Sequence, residues 1–178
     1  MKYSRYRVQD DRILFDFYEF YFSSLKKNPL LTIDRINEVD FNTYPCSMDI
    51  DNGELIFFNH GDTDSIEEFV ERNNIQRSEK IDVWRLLCDE FLDTELSDEE
   101  ARRNHRTLLN LQFSESDLRE VRDRIKWTLF GTMEWVYLGH WDLLAMKQYR
   151  SLFYRLNGTS YYWWTMRIAM KGKTRANQ

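Results

Sequence analysis

Apolar positions recur at three- and four-residue steps through much of this chain, and that period predicts helices. Ile13, Leu14, Phe17, Phe20, Tyr21 and Leu25 share such a face, with Asp16, Glu19 and Lys26 away from it. Residues 11–27 therefore read as a helix, stopped by Asn28-Pro29. Residues 30–38 read as a second, short helix. Ile66, Phe69 and Val70 give a stripe to a helix over 64–73, capped by Asp64 or Ser65. Ile81, Trp84, Leu87, Cys88 and Phe91 line one side of a helix over 79–92. Ser97-Asp98-Glu99-Glu100 is a capping box, in which serine and glutamate each satisfy a free backbone N–H. It opens a helix to about Leu111. Ser114 with Asp117 opens another, which carries Leu118, Val121, Ile125 and Leu129 and ends near Tyr137. Asp142 caps a helix through Leu156, ended by Gly158. Residues 160–170, SYYWWTMRIAM, fit a strand or a helix.

One stretch departs from this period. In residues 46–59, CSMDIDNGELIFFN, Met48 and Ile50 alternate with Asp49 and Asp51, and Leu55 to Phe58 form an apolar run. Asn52-Gly53 between them suits a type I′ turn, so a hairpin is expected, with a third strand from residues 40–45 or from the C-terminal region. The expected fold class is mainly α (α+β): a helical bundle with a small β-hairpin or short antiparallel sheet near residues 46–59. Residues 1–178 are read as a single compact domain. A subdivision into an acidic α/β part, 1–76, and a helical part, 77–178, is open.

Composition narrows the class. The 178 residues are 42% apolar and 16% aromatic, which is a globular and not a disordered composition. Six Gly and two Pro are too few for a sandwich or barrel rich in tight turns. There is no apolar run near the roughly 18 residues of a membrane span, and the opening MKYSRYRVQDDR has no signal-peptide core. Cys46 and Cys88 make no disulfide framework. A cytoplasmic location, away from membranes, is expected.

Charge changes the picture more. The net charge is −5, but residues 143–178 hold seven bases and no acid, and Asp142 is the last acid in the chain. The segment Asp34 to Arg72 holds eleven acids against Arg35 and Arg72. Such a run repels nucleic acid and favours a cationic partner. The basic C-terminal segment mixes Arg150, Arg155 and Arg167 with Tyr161, Tyr162, Trp163 and Trp164, the composition of a base-stacking platform. Against that reading stands the negative charge of the rest of the chain.

Val83-Trp84, Leu87 and then Phe91-Leu92-Asp93-Thr94-Glu95-Leu96, followed by a capped helix, form a recognisable pattern. Residues 79–142 resemble a family of small bacterial helical domains that share a V-W-x-x-L-x-x-x-F-L-D-T-E-L core. Trp135 and Trp141 fall where the related sequences carry a tryptophan-containing segment. The resemblance implies a bacterial helical domain. The family has no established activity, so no catalytic residue comes with it.

Direct chemical signals are few. Asn59-His60-Gly61-Asp62 and His140-Trp141-Asp142 each place an imidazole near a carboxylate, as a general base requires. Histidine, Asn and Asp are also common turn residues. His105 sits in a basic helical segment. Cys88 lies on an apolar stripe and Cys46 at a strand start, so both read as structural. Asp49-Ile50-Asp51-Asn52-Gly53 lacks the glycine position and the final glutamate of a calcium loop. No phosphate-binding loop, zinc-protease or nucleophile-elbow motif occurs. No cofactor and no metal site are expected. The reading is a non-catalytic binding protein, of the kind of a bacterial toxin-immunity protein. Its expected partner is a cationic protein, a cognate toxin such as a nuclease. The expected contact residues are Asp49, Asp51, Glu54, Asp62, Asp64, Glu67 and Glu68. The alternatives are a small hydrolase-like enzyme using a His/Asp pair, and nucleic-acid binding through the basic aromatic segment.

Overall fold

The computed structural model describes residues 4–78, 80–91, 96–129, 139–150 and 154–172. Among the described residues the fold is α+β with two three-stranded antiparallel sheets, and this overturns the mainly α helical bundle with one small hairpin or short sheet near residues 46–59. β1 (Arg5–Val8), β2 (Arg12–Phe17) and β3 (Leu30–Thr32) form the first sheet in that order. β4 (Ile36–Asp40), β5 (Ser47–Ile50) and β6 (Glu54–Phe57) form the second.

The expected helix over 11–27 is β2, followed by a loop and a 3₁₀ turn at Ser24–Lys26. Ile13, Leu14, Phe15 and Phe17 lie so close together that the segment satisfies a period of two as well as one of 3.6. Ile13 and Phe15 point into the core while Arg12 and Asp16 face solvent, and Val8 and Tyr6 pair with Ile13 and Phe15 across the sheet. Those long-range pairs decide the outcome. The expected short helix over 30–38 is β3, a 3₁₀ turn and the start of β4.

The hairpin at 46–59 forms, with Ser47 opposite Phe57 and Ile50 opposite Glu54. Its loop is three residues, Asp51 to Gly53, and only Gly53 takes a positive φ, of 74°. That is the turn followed by a left-handed residue, not the type I′ turn. The third strand is β4, which lies just before the region expected to supply it.

Six α-helices lie among the described residues: α1 (Thr63–Arg72), α2 (Val83–Cys88), α3 (Asp98–Asn110), α4 (Glu115–Leu129), α5 (His140–Arg150) and α6 (Tyr154–Met170). α1 buries Ile66, Phe69 and Val70. The Ser97–Glu100 capping box opens α3 with both of its hydrogen bonds formed. Ser114 and Asp117 exchange the equivalent bonds before α4. The expected end of α4 near Tyr137, Trp135, and residues 92–95 of the FLDTEL motif lie outside the described residues.

α6 runs through Gly158 where a stop was expected, and takes in residues 160–170 as helix. Glycine costs a helix interior about 1 kcal/mol, and packing on two sides outweighs that. Tyr162 and Met166 enter a core built with both sheets and α1, while Ile168 and Trp164 meet a second core of α2, α3 and α4. A helix that is apolar nearly all round is a buried one, which is why its sequence also resembled a strand. α5 divides in the same way, with Leu144 and Ala145 in the first core and Leu143 in the second. Gly172, just beyond α6, passes so close to Ile81 that a Cβ would lie 2.2 Å from its carbonyl oxygen.

Candidate functional site

The expected contact acids divide by burial. All four residues of β5 and all four of β6 are buried, so alternation there does not mean exposure to water. Asp49 is 1% exposed; Lys80 Nζ donates to its Oδ2 at 2.7 Å and Asn37 Nδ2 to its Oδ1 at 3.3 Å. Glu54 is fully buried and accepts from the Ser24 N–H and the Tyr162 hydroxyl. Both are internal pins and leave the contact set. Asp51 is exposed in the hairpin loop, 3.5 Å from Arg35. Asp62 accepts from Asn59 Nδ2 at 2.9 Å just before α1. Asp64 and Glu68 are exposed on α1, and Glu67 meets Arg77 at 2.6 Å.

Asp64, Glu67, Glu68 and Glu71 follow a three- and four-residue step on α1, opposite its buried Ile66, Phe69 and Val70. They form one acidic stripe on the outer face of the helix. Arg77 neutralises its far end through Glu67 and Glu71.

The histidines fall elsewhere. His60 opens the 3₁₀ turn before α1. His105 meets Glu115 at 2.9 Å. His140 is buried, stacked on Trp84 at 5.3 Å and edge-on to Phe57. Burial pushes its pKa down to about 3, and neither ring nitrogen has a hydrogen-bond partner among the described residues. Asp142, its expected partner, instead accepts from the Gly139 N–H at 2.9 Å. The His140–Asp142 pair of the enzyme reading is therefore not formed in this conformation. Cys46 and Cys88 are buried thiols, and burial lifts that of Cys46 to about 11, far from a reactive thiolate.

His140 closes a cavity of about 30 Å³ shared with Asp40, Asp49, Lys80, Asp82 and Trp84. That is room for about two water molecules, not for a substrate. A larger cavity, about 170 Å³, lies beside it and shares Tyr44 and Trp141. Its walls are Glu19, Tyr44, Pro45, Phe58, Asn59, Trp141 and Asp142.

The frame around this larger cavity is tied at several points. Trp141, in the first turn of α5, donates its indole N–H to Glu19 Oε1 at 2.9 Å. Gln148, two turns on, donates to the Glu19 carbonyl at 2.8 Å and accepts from the Tyr21 N–H. Asn59 is fixed by two bonds to the Ser4 backbone. Glu19 is 6% exposed, and its Oε2 has no hydrogen-bond partner among the described residues.

Burial raises Glu19 to about 7 and Asp142 to about 6. Both groups hold protons in the fold that they release when unfolded. Their share of stability is present below about pH 4 and is lost as pH rises through 6 and 7. His140 works the other way, because the unfolded chain takes up a proton below about pH 6.5 that the fold refuses.

Sequence reasoning marked His140-Trp141-Asp142 but missed Glu19, which looked like the polar side of a helix. It stands 122 residues from Trp141 along the chain, so spacing held no trace of the pair. No helix among the described residues is long and apolar enough to cross a membrane. No protein-family model matches the chain, and no curated protein or solved structure is significantly similar to it.

Proposed function

We propose that this chain is a binding protein that neutralises a cationic partner, in the manner of a toxin-immunity protein. The observation that carries the reading is the acidic stripe of α1. Asp64, Glu67, Glu68 and Glu71 share one solvent-facing side of a helix whose other side is anchored in the core. Asp51, in the exposed hairpin loop, adds to the same acidic segment of chain. A basic, phosphate-binding cleft is the complementary surface, as in a nuclease toxin. Opposite potentials raise the association rate, and salt screens that gain. Asp49 and Glu54 hold the scaffold and make no part of the contact.

Reversing the two acids of the stripe that carry no ion pair among the described residues, Asp64→Lys with Glu68→Lys, tests its role. The association rate with the partner should fall about tenfold or more at low salt, while the dissociation rate changes little. Moderate salt should bring wild type and variant together. Unchanged association kinetics at low salt would remove α1 from the interface.

A further inference from the structure

We infer that the cavity between Glu19, Trp141 and Asp142 is a binding site for a single guanidinium or alkylammonium group. The inference goes beyond the partner reading and does not depend on it.

Three observations lead to it. Two carboxyl groups, Glu19 and Asp142, line the cavity, and no lysine or arginine does among the described residues. Glu19 is buried, with one oxygen engaged by Trp141 and the other without a partner among the described residues. A buried carboxylate oxygen without a donor is costly, and a cation with several N–H groups meets that need most directly. Finally, Tyr44, Phe58 and Trp141 supply aromatic walls, the surroundings that favour a cation over a ring face.

Size sets the ligand. The cavity, at about 170 Å³, is below the roughly 300–1,000 Å³ of most small-molecule sites. It suits one side-chain-sized group. The amino end of α5 opposes a cation with about half a positive charge. Asp142 already takes the Gly139 N–H there, and two carboxylates outweigh what remains. Among the described residues the titratable groups around the site are Glu19, Tyr44, His140 and Asp142, with Tyr18 near Glu19 and with Tyr6 and Asp62 behind Asn59. His140 is neutral at any pH near 7, so it adds no opposing charge. Ionised Glu19 and Asp142 are the binding form, and binding should weaken on acidification.

The test titrates the full chain with ethylguanidinium and with the neutral isostere N-ethylurea, followed by backbone amide shifts in NMR. Ethylguanidinium should saturate at pH 8 with shifts centred on residues 19, 44, 59 and 141–142. N-ethylurea should bind at least tenfold more weakly. Lowering the pH to 5.5 should weaken ethylguanidinium by tenfold or more. Glu19→Gln should cost at least tenfold in affinity.

That variant also separates binding from folding. Its amide oxygen still accepts from Trp141, and it removes a buried charge. It should melt several degrees above wild type at pH 8 and converge with it near pH 5. A variant that is more stable yet has lost the cation marks a binding group and not a packing group. A capped Gly-Arg-Gly peptide separates two sources of the ligand. Binding as tight as ethylguanidinium assigns the site to an arginine side chain of a protein, and rejection of the peptide assigns it to a free small cation. Equal binding of ethylguanidinium and N-ethylurea, preference for a neutral sugar, or undiminished binding by the Glu19→Gln variant would overturn the inference.

Discussion

Replacing Lys80 with methionine should cost the fold about 3–5 kcal/mol, the usual penalty for leaving a buried charge uncompensated. Lys80 is 10% exposed and lies between Asp49, 1% exposed, and Glu38, each within salt-bridge distance. Asp40, itself buried, lies on the same side of the second sheet. Methionine fills the volume of the lysine stem but supplies no charge, so the carboxylates of β4 and β5 lose their only ammonium among the described residues. Adding Asp49→Asn to Lys80→Met should recover a large part of the loss, because it removes the stranded charge as well. Urea unfolding of the two variants measures both effects. A loss below about 1 kcal/mol for the single variant, the range of a surface pair, would show that Lys80 does not neutralise this cluster.

The second large effect is expected at Trp84, where truncation to alanine should cost about 3–5 kcal/mol. Trp84 is 1% exposed in the second core and stacks on His140, which in turn meets Phe57 of the first. Its indole N–H bonds the Thr165 carbonyl of α6 at 3.1 Å, its face stacks on His140, and its edge meets Trp164 at 5.7 Å. Alanine would open a cavity beside a buried neutral histidine and remove the indole's bond to α6. Trp84→Phe loses the same N–H bond but keeps most of the apolar volume, so it should cost about half as much, and the difference between the two variants reports the cavity alone. Thermal unfolding of both variants, with near-ultraviolet circular dichroism to follow the tryptophans, separates these outcomes. Equal costs for alanine and phenylalanine would place the whole effect in the hydrogen bond.

Some of this architecture was legible in the sequence because its signals are local. The Ser97–Glu100 box, the Ser114–Asp117 cap, the stripe of α1 and the hairpin around Gly53 each depend on residues a few positions apart. The first sheet was not legible, because residues 12–17 fit two periods and their partners lie in separate segments at 5–8 and 30–32. α6 was half legible for a related reason. A helix wedged between two cores loses the polar face that marks its period.

The candidate sites follow the same rule. Asp64, Glu67 and Glu68 of the acidic segment lie on an outer helix face, and the local pattern of α1 was enough to show it. Asp49 read as a surface acid because it alternates with Met48 and Ile50, and Glu54 as part of the same acidic segment. Their strands are covered on both sides, and Lys80 and Tyr162, distant in the chain, receive them. The Glu19–Trp141 contact joins a loop after β2 to the first turn of α5, and only the folded chain brings it together.

The proposal that an acidic surface holds a cationic partner has one decisive test. The most direct measurement is co-purification of the tagged chain with the products of its neighbouring genes, at low and at moderate salt. A stoichiometric complex with a basic, growth-inhibiting protein is expected, formed faster at low salt and slowed by Asp64→Lys with Glu68→Lys. Recovery of the chain alone, beside neighbours that are harmless when expressed without it, would rule out a toxin partner from its own locus.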